Sequence, residues 1–133
     1  MNQNNKDERE IRTLLDTWAA AVRARDMRQI LAHHTSDILM FDVPPPTALR
    51  GIEEYERSWQ PFFASFAGAI TWELSDVTVQ AGSDVGFATA LVRCAGDKPA
   101  GGSFDLAVRL TVGLRKIGDQ WQIVHEHHSV VAE

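Results

Sequence analysis

Near the C-terminus, the run Ile123-Val124-His125-Glu126-His127-His128 carries three imidazoles and a carboxylate in six residues. Imidazole is suited to moving protons at neutral pH because its ordinary pKa lies near ~6.5. In an extended strand the run splits by parity. Trp121, Ile123, His125, His127 and Ser129 share one face, and Gln122, Val124, Glu126 and His128 share the other. Upstream, Asp105, Arg109, Thr111 and Gly113 form one such set, Thr89, Leu91 and Arg93 another, and Asp42 goes with Met40 and Ile38. Parity sorts the sets but does not choose the inward one. A buried Asp42 has the raised pKa that a general base needs, whereas an Arg beside it would lower that pKa and make it a counter-ion. Guanidinia left free would instead grip a carboxylate or enolate by forked hydrogen bonds.

Other chemistries find less support. His125 and His127 on one strand face suit a metal, but no third ligand is evident and no metal is expected. Cys94 is the only cysteine, lies out of phase with Arg93, has no activating partner and is expected to be inert. His33, His34 and His128 are expected at the surface or an interface. There is no phosphate-cradling glycine loop, dinucleotide fingerprint or nucleophile elbow, so no nucleotide or redox cofactor is expected.

The elements that must position these groups are legible in the periodicity. Ile11, Leu14, Leu15, Trp18 and Val22 recur as one helical face, with Asp7 and Glu10 spaced as a capping box and residues 1–6 read as a flexible tail. Asp26 can cap a short second helix bearing Met27, Ile30, Leu31 and His34 on its inner face. Residues 37–43 read as a strand ended by Pro44-Pro45-Pro46. A third helix carries Ile52, Tyr55, Trp59, Phe62, Phe63 and Phe66 as core, with Pro61 expected to kink it or end its regular part. From Ile70 the period becomes two, giving strands over 70–81, 84–95, 103–117 and 120–131 with Gly-rich turns between. At ~3.3 Å per residue such strands reach roughly 35–50 Å and must bend, with Gly113 the natural bend or bulge site. Helices followed by an antiparallel meander mean a helix layer over one sheet face and a concavity between them.

Composition limits the partners. The 133 residues suggest one domain over 1–133, and 44% hydrophobic with 23% charged residues is ordinary for a globular chain. The net charge of -5 is spread over both halves. No basic stripe suits nucleic acid and no polybasic segment suits an anionic membrane. The polar N-terminus has no apolar signal core, no apolar run approaches a membrane span, and a cytoplasmic location is the expectation.

Several runs carry a family resemblance: Trp18–Asp26, then His34–Asp42, the run FDVPPP, then GIEEY, and VRLTVGLRKIGDQWQIVHEHHS. Together they resemble the nuclear transport factor 2-like superfamily, which includes ketosteroid isomerase, and within it a bacterial branch described as SnoaL-like or ketosteroid isomerase-like. The resemblance covers nearly the whole chain and implies an α+β cone: N-terminal helices packed on a curved antiparallel sheet around a pocket. Ketosteroid isomerase pairs an Asp base with an oxyanion hole of a Tyr and a protonated Asp. Asp42 falls on the base, Trp18 on the tyrosine, and Thr111 or Val112 near the protonated acid. Two of the three parts are thus altered, since an indole lacks the acidity of a phenol and neither Thr nor Val is an acid.

The resemblance further implies that Arg93, Arg109, His125 and His127 point into the cone with Asp42, behind Trp18 and Tyr55. Asp42 and His127 are then the proton carriers, and Trp18, Tyr55, Arg93, Arg109, Thr111 and His125 bind a small organic molecule, an anion being one candidate. The competing reading pairs Arg93 and Arg109 with Asp105 or Asp42 as internal ion pairs. Isomerisation, cyclisation or dehydration next to a carbonyl is the expected chemistry; the alternative is a non-catalytic ligand-binding or assembly domain. Val108, Leu110, Val112, Val124 and Val130 are expected on the outer sheet face, where a homodimer would bury them.

Overall fold

Apolar periodicity and turn chemistry produce three helices and six strands among the described residues. This computed structural model describes residues 3–132, with side chains from residue 5 onward. In chain order the elements are α1 (Gln3–Ala24), α2 (Met27–Leu31), β1 (His34–Phe41), β2 (Leu49–Arg50), α3 (Ile52–Ala64), β3 (Thr71–Ala81), β4 (Val85–Asp97), β5 (Ser103–Ile117) and β6 (Gln120–Ser129). The sheet runs β2-β1-β6-β5-β4-β3. The meander β3 to β6 is antiparallel as expected, but β1 joins the far side of β6 in parallel, so the sheet is mixed. The fold is an α+β cone with helices on one face of a curved sheet. Among the described residues, no helix is long and apolar enough to cross a membrane.

Local signals explain most boundaries. Asp26 caps α2, its side chain accepting from Gln29 N–H at 3.2 Å. Pro61 lies inside α3, which continues to Ala64, so the proline neither ends nor shortens it. Two expectations fail at the N-terminus. Helix α1 already includes Gln3–Lys6, and of the expected tail Met1 and Asn2 lie outside the described residues. Asp7 is not a cap. It is fully buried, and its Oδ1 accepts from Lys116 Nζ at 3.0 Å and Trp121 Nε1 at 3.1 Å, tying α1 to the β5–β6 hairpin.

The inward face is chosen by apolar continuity. Ala88, Ala90, Val92 and Cys94 of β4, and Val108, Leu110, Val112 and Leu114 of β5, are buried beneath the helices. Burying these rows removes apolar area from water and desolvates no charge. Val108, Leu110 and Val112 are therefore core, not the outer face expected of them. Strand β6 breaks parity. Its register slips between Gly113/Leu114 and His125/Ile123, leaving Val124 as the extra residue of a bulge. Trp121 and Ile123 face inward before the bulge, and Glu126 and His128 after it. Gly113 permits this close crossing, because a Cβ there would meet His125 Cβ at 3.3 Å.

Candidate functional site

The bulge in β6 swings Glu126 and His128 into the space between sheet and helices, and both are buried. Glu126 is the hub of a polar cluster in an otherwise apolar core. Its Oε2 accepts from Tyr55 O–H of α3 at 2.7 Å and lies 2.6 Å from His34 Nε2 at the start of β1. Its Oε1 accepts from His128 Nε2 at 2.9 Å. Tyr55 in turn accepts from Trp18 Nε1 of α1 at 3.1 Å. The other ring nitrogen, His34 Nδ1, lies 3.0 Å from the carbonyl oxygen of Ala32. Residues of α3, β1 and β6 thus meet at one carboxylate, and α1 joins them through Tyr55.

The cluster sets the protonation of its members. Burial pushes the Glu126 pKa up, but hydrogen bonds from His128 and His34, with their charges, outweigh it and hold the group down at about 2. Burial pulls His128 down, yet the bond to Glu126, its charge and that of Asp42 leave the imidazole above its ordinary value. Burial and the Glu126 charge lift Tyr55 well above the usual phenol range, keeping it a neutral donor.

His128 also forms part of the wall of a cavity of about 360 Å³. Asp42 and Pro44, beyond the end of β1, lie at one side; Ser58, Trp59 and Phe62 of α3, Trp72 of β3, and Cys94 and Val108 of the sheet complete most of the lining. The His128 Nδ1, free of Glu126, lies 3.8 Å from Asp42 Oδ1. The aromatic rings pack edge to face, with Trp72 and Trp59 centroids 6.0 Å apart and Phe62 5.3 Å from Trp72. Burial pushes the Cys94 thiol up to about 11, so it is present as a neutral thiol.

The residues expected to converge are divided by the sheet. Asp42 lines the cavity, and Trp18 and Tyr55 stand buried behind it, joined to His128 through Glu126. Arg93, Arg109, Thr111 and His127 are exposed on the opposite face. Arg93 makes a two-point contact with Asp105, with Nη2 to Oδ2 at 3.0 Å. Arg109 Nε donates to Ser129 Oγ at 3.1 Å and Nη2 to the Val130 carbonyl at 3.2 Å. His125 is half-buried at the bulge, its Nδ1 2.7 Å from Leu39 O, and its ring meets Phe41 and His127. The inward placement of Arg93, Arg109, Thr111, His125 and His127 is therefore corrected: one extra residue in β6 and the apolar rows of β4 and β5 reverse the phase. His34 and His128, expected at the surface or an interface, are central. Among the described residues, no group of three His, Cys, Asp or Glu is arranged to hold a metal.

A family profile described as a SnoaL-like domain matches residues 11–133. A crystal structure of an NTF2-like (nuclear transport factor 2-like) protein of unknown function from Pseudomonas putida KT2440 is 34% identical with a TM-score of 0.88, over 99% of this chain and 92% of that one. A candidate dehydratase of the NTF2-like family from Streptomyces avermitilis is 19% identical, with a TM-score of 0.86 over 98% of this chain and 100% of that one. A ketosteroid isomerase-like protein from Erwinia carotovora atroseptica SCRI1043 is 20% identical, with a TM-score of 0.81 over 97% and 99% of the two chains. The last two share the fold alone at such identities. No curated protein matches the chain. A profile that spans nearly the whole chain, and a one-third-identical relative with the same cone, make this chain a member of the SnoaL-like family within the nuclear transport factor 2-like superfamily.

Proposed function

We propose that this chain binds a small organic molecule and moves protons on it, by isomerisation, cyclisation or dehydration next to a carbonyl. His128 and Asp42 are the proton carriers. The observation that carries this reading is the anchoring of His128. Its Nε2–H is committed to Glu126 at 2.9 Å, which fixes ring and tautomer and leaves the Nδ1 lone pair near Asp42. A cavity of this size and apolar character, with a few polar groups on one wall, is the usual form of a ligand site. Nδ1 takes a proton from the carbon next to the carbonyl, and the imidazolium formed lies between Glu126 and Asp42. The proton then returns to another ligand carbon, giving an isomer, or to a hydroxyl that leaves as water.

A generic assay is deuterium uptake at C2 of 4-hydroxy-1-tetralone in D2O, followed by proton NMR. Uptake faster than in buffer, rising as pH passes through the His128 value, which is raised above the ordinary imidazole value of roughly 6.5, because the base form appears there, is the expected result. A second reading, a non-catalytic binding or assembly module, draws on the Glu126 cluster, whose bonds are satisfied without a ligand. Binding of the ketone with no uptake above buffer would establish that reading instead.

We also propose a homodimer through the outer sheet face. Exposed apolar residues of that face include Phe87 and Leu91, 48% and 42% exposed, beside Arg93 and Arg109. Light scattering at micromolar concentration is expected to give twice the chain mass, and Leu91→Glu to give monomer. A monomeric wild type would reject the dimer.

A further inference from the structure

The polar atoms around the cavity are nearly all acceptors. Ser58 donates its hydroxyl proton to the Tyr55 carbonyl and Ser65 to that of Phe62, each at 2.6 Å, so both present only lone pairs to the cavity they line. The Val43 N–H is already bonded to Asp42 Oδ1 at 2.8 Å, and Pro44 and Pro61 have no N–H to give. In its neutral form His128 offers Nδ1 as a lone pair, and the carboxylate oxygens of Asp42 are acceptors. The indole nitrogens of Trp59 and Trp72 are buried in the aromatic wall without a hydrogen-bond partner among the described residues. The Cys94 thiol is the remaining donor, and a weak one. Among the described residues, no Lys or Arg lines the cavity. The guanidinia that would have received an anion lie across the sheet.

We propose that the cavity selects a neutral, ring-sized compound that brings its own hydroxyl donor, an alcohol or a phenol, and that it rejects carboxylates. The claim deepens the small-molecule reading above and rests on it. A hydroxyl meets unpaired acceptors at Asp42 and His128. A carboxylate would meet one carboxylate at the wall and a second at Glu126 behind it, and with His128 neutral no Lys or Arg of the described lining compensates the charge, so it would shed its water for little in return. A ligand that only accepts would leave the same acceptors desolvated and unpaired.

The experiment is calorimetric titration of the full chain at pH 8 with three compounds of one skeleton: 1-naphthol, 1-methoxynaphthalene and 1-naphthoate. 1-Naphthol is expected to bind about threefold to tenfold tighter than its methyl ether, the size of one hydrogen bond to a neutral donor. 1-Naphthoate is expected to bind at least about tenfold more weakly than 1-naphthol. Asp42→Asn, which removes the charge and adds two N–H donors, is expected to narrow the naphthol-to-naphthoate ratio. Equal binding of the ether or the naphthoate by wild type, or no saturable binding of 1-naphthol up to its solubility, overturns the proposal. Failure of deuterium uptake with this preference intact overturns only the catalytic reading, whereas uptake without the preference overturns only this one.

Discussion

Replacing Glu126 with leucine is expected to lower the unfolding free energy by about 3–5 kcal/mol, the usual cost of removing one partner from a buried ionic cluster. The carboxylate is fully buried and faces Tyr55, His34 and His128 at 2.6–2.9 Å. A leucine fills much of the space but leaves a hydroxyl and two imidazoles with no acceptor, and each unsatisfied group adds its own desolvation cost. Glu126→Gln keeps the shape and one acceptor, and is expected to cost less. The measurement is urea unfolding followed by tryptophan fluorescence, with the two slopes compared so that a change in the unfolded state is recognised.

The pH dependence of that difference tests the same cluster. Glu126 is depressed to about 2, so its contribution is present above the unfolded carboxylate value of roughly 4.3 and fades as pH falls toward its folded value. His128 is raised, so its contribution is complete below roughly 6.5 and fades as pH rises through the folded value. The stability gap between wild type and Glu126→Leu should therefore be widest between roughly pH 4.5 and 6.5. A gap that stays flat from pH 3 to 9 would show that these groups do not titrate as the hydrogen bonds require.

His128→Gln is expected to reduce deuterium uptake into 4-hydroxy-1-tetralone by about 10²–10⁴-fold, the usual contribution of a positioned general base. Glutamine can still hydrogen-bond Glu126 but has no titrating nitrogen, so the cluster keeps most of its bonds while the base is lost. The readout separating chemistry from folding is the pH profile: wild type rises along the His128 limb, and the variant should be flat at its residual rate. His127→Gln, on the outer face, is expected to leave uptake unchanged. If His127→Gln abolishes uptake and His128→Gln does not, the inward phase of β6 is wrong for catalysis.

These two histidines mark where sequence reading ended. Element types followed from local periodicity: the helical faces of Ile11 to Val22 and Ile52 to Phe66, and the alternation from Ile70 onward, match α1, α3 and β3 to β6 within a few residues. Asp42, which the resemblance puts inward, lines the cavity, and Ile38 and Met40, which share its parity, are core. The unbroken apolar rows of β4 and β5 also carried their phase, since burying Val92 and Leu110 desolvates no charge while burying Arg93 and Arg109 does. Weighed by that cost, they would have put both guanidinia outside without any structure.

The site itself was decided by tertiary structure. Trp121 and Ile123 give β6 an apolar phase that, continued strictly, sends His125 and His127 inward. The extra residue at Val124 falls where β6 pairs with Gly113 of β5, and the missing side chain there leaves room for His125. That contact is made across the β5–β6 hairpin, whose pairing the alternation of either strand alone does not show, and a one-residue slip exchanges every side chain beyond it between core and solvent. Likewise, nothing local announced that His34, Tyr55 and Glu126 would meet. A buried carboxylate is tolerated only when several donors surround it, and those donors come from three different elements that the fold alone brings together.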